Sequence, residues 1–287
     1  MFKILPISMK VLPFKIPKTK NLGLIYQEDI GAFFYDKYHE HEEVQLCYII
    51  KGEGTLIVGD TVNEYHSNDI LVIGSRQPHV FKSDNSVIKK SSMISLFFTK
   101  KSFGETFFEL DEFKEIAPFF SKSKNSFRIV NNKVKITKLF LKLQKSRDLV
   151  KFTVFIKMLT VISSSKVESL SSFVYEKKYT DNEGKRMRNI MDYTLQNFNK
   201  KIELDDIAEI ANMTSNAFCR YFKQRTNKTF FTFLNELRVE NACRLLQNKD
   251  YSVIDVSERS GFKNISNFNR KFKELKKITP SNYRLNN

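Results

Sequence analysis

One pattern is written twice in the last third of this chain. The first copy runs Ile207-Ala208, Asn212-Met213, Phe218 and Arg220-Tyr221-Phe222-Lys223. The second runs Val256-Ser257, Gly261-Phe262, Phe268 and Arg270-Lys271-Phe272-Lys273. The offset is 49 residues up to the turn and 50 beyond it. Each copy reads as a short helix with apolar residues at helical spacing, a tight turn, and a second helix. That second helix carries a Phe pair four residues apart on one face and basic and amide side chains on the other. This is the layout of a helix-turn-helix, whose second helix enters the DNA major groove. Two copies predict a protein that reads two successive groove segments.

Local chemistry supports each boundary. Leu204 to Ala211 forms the scaffold helix of the first copy, with Glu203, Asp205 and Asp206 at the end where the helix dipole favours acids. Asn212 and Gly261 stand where the turn needs a left-handed residue. Thr214 or Ser215 caps the first recognition helix and Asn264 the second, while Ser252 and Asp255 form a capping box. Phe218, Phe222, Phe268 and Phe272 face the core. Asn216, Cys219, Arg220 and Lys223 are then left outside in the first copy, and Ser266, Asn267, Asn269, Arg270 and Lys273 in the second. Phe230 to Leu246 reads as a linking helix. If rigid, it can set the recognition helices roughly 34 Å apart, one turn of DNA.

These residues resemble the arabinose-regulator (AraC/XylS) family of bacterial transcription factors over about residues 185–286. The resemblance rests on Ile207-Ala208, Phe218-x-Arg220-x-Phe222-Lys223, Arg238-x-x-x-Ala242-x-x-Leu245-Leu246, Gly261-Phe262, Phe268-x-Arg270-x-Phe272-Lys273 and Thr279-Pro280-Ser281-x-Tyr283-Arg284. Asn212 departs from the usual Gly and Ser257 from the usual Ala. The resemblance implies sequence-specific binding of double-stranded operator DNA. Its base readers fall on Asn216, Cys219 and Arg220, and on Ser266, Asn267 and Arg270. Arg can bridge guanine and Asn adenine at about 1–3 kcal/mol each. Lys223, Lys263, Lys271, Lys273 and the helix N-termini, with Asn264 at one of them, are expected to hold phosphates. The plainer alternative is that Arg220 and Arg270 form only local caps or ion pairs.

Charge agrees with a polyanionic partner. The 287 residues carry 48 Lys and Arg against 32 Asp and Glu, a net +16. From Gly184 onward there are 20 basic and 11 acidic residues, and Lys263 to Lys277 holds six basic residues against Glu274 alone. Three distant cysteines, Cys47, Cys219 and Cys243, argue against a disulfide framework and for a reducing cytoplasm. Lys3, Lys10, Lys15 and three prolines break up the start of the chain, so it is expected to be an extended basic arm over 1–20 rather than a signal peptide. No apolar stretch is long enough for a membrane span.

From about Leu22 to Phe98 short β-branched and aromatic runs alternate with turn residues, which predicts an antiparallel barrel or sandwich. Within it, His39-Glu40-His41, Gln45, Gly52, Asn68-Asp69-Ile70 and Pro78-His79 resemble the two motifs of the cupin barrel over about residues 30–98. The resemblance implies a small-ligand pocket lined by His39, His41, Gln45, Tyr48, His79 and Phe81. A metal cupin wants a carboxylate where this chain has Gln45, so no metal or other cofactor is assigned, and His66 is expected at a surface turn. Phe103 to Phe120 reads as short helices; Lys133 to Lys145 and Leu149 to Ser163 read as longer ones, with apolar surface expected to serve a homodimer.

The expected chain is α+β with two domains. An arm (1–20), a cupin-like sensor (21–132) and dimerisation or linker helices (133–183) precede an all-α DNA-binding domain (184–287), with the boundary at the polar stretch 181–184. The expected protein is a cytoplasmic, non-enzymatic regulator, an activator with a small-molecule effector and contact to RNA polymerase. The rival reading is a metal-dependent cupin enzyme with a basic helical tail.

Overall fold

The computed structural model describes residues 15, 23–84, 90–172, 174 and 179–286. The arm expected over 1–20 lies outside them apart from Lys15. Nine strands form the N-terminal half: β1 (Ile25–Gly31), β2 (Val44–Lys51), β3 (Gly54–Val58), β4 (Thr61–Tyr65), β5 (Ile70–Ile73), β6 (His79–Ser83), β7 (Ser91–Phe98), β8 (Phe127–Ile129) and β9 (Val167–Ser169). They make two antiparallel sheets, one ordered β1-β7-β2-β5-β8-β9 and the other β4-β3-β6. Strand alternation sorts the side chains into two cores. On β2, Cys47 and Ile49 turn inward to meet Leu56, Val58, Tyr65, Leu71, Ile73, Phe81 and Met93 between the sheets. Val44, Leu46 and Tyr48 turn the other way.

That outer face of the larger sheet is covered by α1 (Ala117–Ser123), α2 (Lys133–Lys145) and α3 (Asp148–Ser163). Ile136, Leu139, Phe140 and Leu143 of α2, and Phe155, Met158, Leu159 and Ile162 of α3, are buried in one cluster with β-strand residues. Phe98, Phe119 and Phe155 meet there ring against ring. The apolar stripe that suggested a dimer surface is therefore largely covered by the chain's own sheet. Each fully buried side chain of this size gives roughly 2–3 kcal/mol relative to exposure, ample reason to cover it internally. Only Val134, Leu141, Leu149 and Val150 of these helices remain as large exposed apolar residues.

Seven helices follow: α4 (Asp181–Asn197), α5 (Leu204–Ile210), α6 (Ser215–Thr226), α7 (Phe230–Gln247), α8 (Val253–Arg259), α9 (Ile265–Lys276) and α10 (Pro280–Asn286). The polar stretch 181–184, where the domain boundary is expected, forms the first turn of α4. The Thr180 hydroxyl accepts the Glu183 N–H while the Glu183 carboxylate accepts the Thr180 N–H, and Gly184 is buried. A capping box thus makes a helix start from residues that read as a linker. The caps also extend the repeat. Thr229, 49 residues after Thr180, accepts the N–H of Thr232, and Thr279, 50 residues after Thr229, that of Asn282. Each unit is therefore a long helix followed by a helix-turn-helix: α4-α5-α6, then α7-α8-α9, with α10 beginning a third.

The first unit shares a core with the barrel. Tyr38, Ile57, Val62 and Val80 from the strand half lie in one buried cluster with Met187, Ile190, Ile207, Phe218 and Phe222. The second unit has its own smaller core around Val256, Phe262, Phe268 and Phe272. Among the described residues no helix is long and apolar enough to cross a membrane.

Candidate nucleic-acid interface and sensor site

In the first unit the turn runs through Asn212 in the left-handed region (φ 50°). Thr214 caps α6 by accepting the Ala217 N–H at 3.4 Å. Phe218 and Phe222 are fully buried, their rings 5.8 Å apart. Helical geometry then forces Asn216, Cys219, Arg220 and Lys223 outward, and all four are exposed. Arg220 and Lys223 have no ion-pair partner among the described residues, so both cations stand open to solvent on one helix face.

In the second unit Gly261 takes φ 86° at the turn. A Cβ there would come within 2.6 Å of the Phe198 carbonyl oxygen and 2.7 Å of the Asn199 Cα, both backbone atoms, so this position admits Gly alone. Asn212 is exposed, and Asn tolerates the left-handed backbone better than other side chains. The Asn264 side chain accepts the N–H groups of Ser266 and Asn267 at 2.8 and 3.1 Å. Ser266, Asn267, Arg270 and Lys273 are exposed along the outer face, with Lys263 and Asn264 at its start. Arg270 is held: it donates to the Asn267 side-chain oxygen at 2.9 Å and lies 3.6 Å from Glu274. Lys271, half-buried, donates to the same Glu274 at 2.9 Å. Lys271, then Arg270 and Lys277, keep the Glu274 carboxyl below its ordinary range, so it is an anion on an otherwise basic face.

Both units are fastened to the same scaffold. Arg238 of α7 donates to the carbonyls of Phe198 and Lys200, closing the loop that leads into α5. Lys276 of α9 donates to Glu240 of α7 at 2.6 Å. Arg188, 50 residues before Arg238, uses the same Nε at the same 2.7 Å, but its acceptor is the Tyr38 carbonyl of the strand half. Sequence reading missed Arg188, because a contact across 150 residues leaves no local signal.

In the barrel, His39 and His79 pair through their backbones, and His41 lies beside them. Ring centroids are 4.3 Å apart for His39 and His79 and 5.0 Å for His41 and His79. The Nδ1 atoms lie 2.8–2.9 Å from the carbonyls of Lys37, Glu43 and Gln77, so each Nδ1 N–H donates to a backbone oxygen and fixes its ring. The Gln45 oxygen is 3.4 Å from His41 Nε2, and its nitrogen donates to Ser95 at 3.0 Å. The three histidines offer donor atoms within 4.8 Å of one another. They fit a divalent ion held by imidazole nitrogens. The neutral Gln45 amide supplies an oxygen there and no compensating charge.

Of the other pocket residues assigned from sequence, Phe81 lies in the barrel interior with its ring 6.1 Å from His79. Tyr48 does not belong to the pocket. It shares the outer face of β2 with Val44 and Leu46, lies 5.6 Å from the Phe140 ring, and donates to Asn68. Counting parity from Gln45 would have shown this. Parity on β7 would likewise have found Phe97, 5.2 Å from His41, and Ser95. His66 is exposed beside Glu64. Glu40, between two of the histidines in sequence, is buried. Burial pushes its pKa up to about 7 against the pull of Lys15, Arg76 and Arg225.

A family profile described as a helix-turn-helix domain matches residues 207–286, and one described as a cupin domain matches residues 30–88. The uncharacterized HTH-type transcriptional regulator YdeC of Bacillus subtilis is 23% identical over 256 residues, spanning 87% of this chain and 86% of that protein. The HTH-type transcriptional activator RhaR of Mannheimia succiniciproducens is 23% identical over 259 residues, with 86% of each chain covered. Among solved structures, the DNA-binding domain of AdpA in complex with a target DNA is 28% identical over 34% of this chain and 87% of that one, with a TM-score of 0.33.

Proposed function

We propose that α6 and α9 each read one major-groove segment of an operator in this DNA-binding transcriptional regulator, which carries a cupin domain ahead of its helix-turn-helix units and resembles the AraC type. The observation that carries this reading is the outer face shared by the two helices. Asn216 and Arg220 on one, and Asn267 and Arg270 on the other, are exposed above buried Phe pairs. Bidentate Arg–guanine and Asn–adenine contacts follow from those residue types. Cys219 and Ser266 line the same faces. Lys223, Lys263, Lys271, Lys273 and the capped end at Asn264 hold phosphates and set the register.

The protein acts in the cytoplasm as a non-enzymatic activator at promoters, in company with RNA polymerase. The name of the RhaR relative supports the sign of regulation. An effector bound to the cupin domain biases the shared core that joins the barrel to the first unit. The exposed Val134, Leu141, Leu149 and Val150 support a homodimer through the outer face of α2 and α3.

Selection of bound fragments from genomic DNA at near-physiological salt tests the central claim, with the wild type beside an Arg220→Ala/Arg270→Ala double variant. Enrichment of a two-part motif about one turn apart, absent from the variant, is expected. Equal, featureless and salt-labile capture by both would reduce the basic surface to non-specific binding.

A further inference from the structure

Outside the barrel interior, a cavity of about 370 Å³ opens where the start of β2, the 75–78 turn, the end of β7 and α1 meet the linker residue Tyr179. Its size is at the small end of the range for small-molecule sites, about 300–1,000 Å³. None of the three histidines lines it; Glu40 does, and it is the one acid among the lining residues. Three cations surround it: Arg76, Lys100 and Lys124. Arg76 and Lys100 have half-exposed partners in Glu42 and Glu109, contacts of the kind that exchange readily with a competing anion. Lys124 is exposed and has no acidic partner among the described residues. Val44, Pro78 and Phe120 give the cavity apolar surface beside the polar Ser75, Gln77, Thr99 and Ser123, and the buried Tyr179 completes its lining.

We propose that this cavity is an effector site for a small organic anion with an apolar body, held at its charged end by Lys124 with Arg76 and Lys100 and at its apolar end by Phe120, Pro78 and Tyr179. The position explains how such a ligand reaches the DNA-binding units. The Arg225 guanidinium of α6 lies 4.4 Å over the Tyr179 ring and pairs with Glu183, the capping residue of α4. A molecule lodged against Tyr179 therefore sits one side chain away from the recognition helix of the first unit.

Titration calorimetry of the full chain, without DNA, tests the site independently of any claim about base reading. The probes are 3-phenylpropionate, its amide 3-phenylpropanamide, and 3-phenylpropylamine, which share a body and differ in charge. The anion is expected to bind about ten-fold more tightly than the amide, as one charge-assisted contact would give, and the amine more weakly still. Lys124→Glu is expected to remove that preference while leaving the melting temperature of the unliganded chain unchanged. Lys138→Glu, the same charge change on the outer face of α2, is expected to leave it intact. Equal affinity for the three probes, no binding of the anion, or equal loss in both lysine variants would overturn the proposal.

Discussion

The two helix-turn-helix units are built from one plan and placed in different surroundings. The first is wedged against the strand half, with Tyr38, Ile57, Val62 and Val80 completing its core and Arg188 hooked onto the Tyr38 carbonyl. The second closes its own core on α7 and α10, and Arg238 of α7 ties down the loop between α4 and α5 of the first unit. Their reading faces differ as well. Among the described residues Arg220 has no ion-pair partner, whereas Arg270 is oriented by Asn267 and restrained by Glu274. A duplicated motif thus yields one unit built into the core of the barrel and one whose outer arginine is already oriented.

The sharpest way to break this comparison is at the turns. Gly261→Ala places a methyl group against the backbone at Phe198 and Asn199 in a left-handed conformation, and is expected to cost about 3 kcal/mol or more. Asn212→Ala, at an exposed turn, is expected to cost about 1 kcal/mol. Urea unfolding followed by circular dichroism compares them, and equal losses would mean that the two turns are not held differently.

Next in size are the arginines. Arg220→Ala and Arg270→Ala are each expected to weaken binding to a preferred site by about 1–3 kcal/mol and to relax the preference at one or two base positions. Uniform loss across all sequences would remove the base-reading role of the residue concerned. Lys223→Ala is expected instead to weaken all DNA alike and to lower the slope of log affinity against log salt by about one. Glu274→Gln releases Arg270 and Lys271, so a few-fold gain in DNA affinity is expected, for which the first helix offers no counterpart; unchanged affinity would show that the restraint is unimportant.

The smallest effect is a pH window. At Glu183, burial opposes ionisation, but the Thr180 N–H and hydroxyl and the Arg225 guanidinium together outweigh it, and the carboxyl sits below its ordinary value of 4.5. A carboxyl depressed in the folded state contributes stability above its unfolded pKa and loses it as pH falls through the folded one. Stability is therefore expected to drop as pH falls below about 4.5, and less steeply in Thr180→Ala. Identical acid profiles for the two chains would disconnect the cap from the acid response.

What was legible in the chain followed the range of the interaction. Helix spacing, caps and turn residues act over a few positions, so both helix-turn-helix units, the linking helix and the strand-rich half could be read from residue order. The same range explains the errors. Asp181 to Gly184 has the polar composition of a linker, yet the Thr180-x-x-Glu183 capping box makes it a helix start. Tyr48 is close to Gln45 in sequence, but three residues along a strand put it on the opposite face, away from the pocket.

The sequence by itself determined the units: a duplicated pattern of apolar spacing, caps and turns makes helices α5-α6 and α8-α9, and it leaves arginine and amide side chains outside because the Phe pairs must go in. Only the tertiary structure decided how those units are used. It joined the first to the barrel through one apolar core, turned Arg188 and Arg238 toward carbonyls in different parts of the chain, covered the stripe on α2 and α3 with the chain's own sheet, and gathered cations from distant segments around a cavity beside Tyr179. Those outcomes depend on contacts between residues tens to more than a hundred positions apart, which local pattern does not encode and packing must settle.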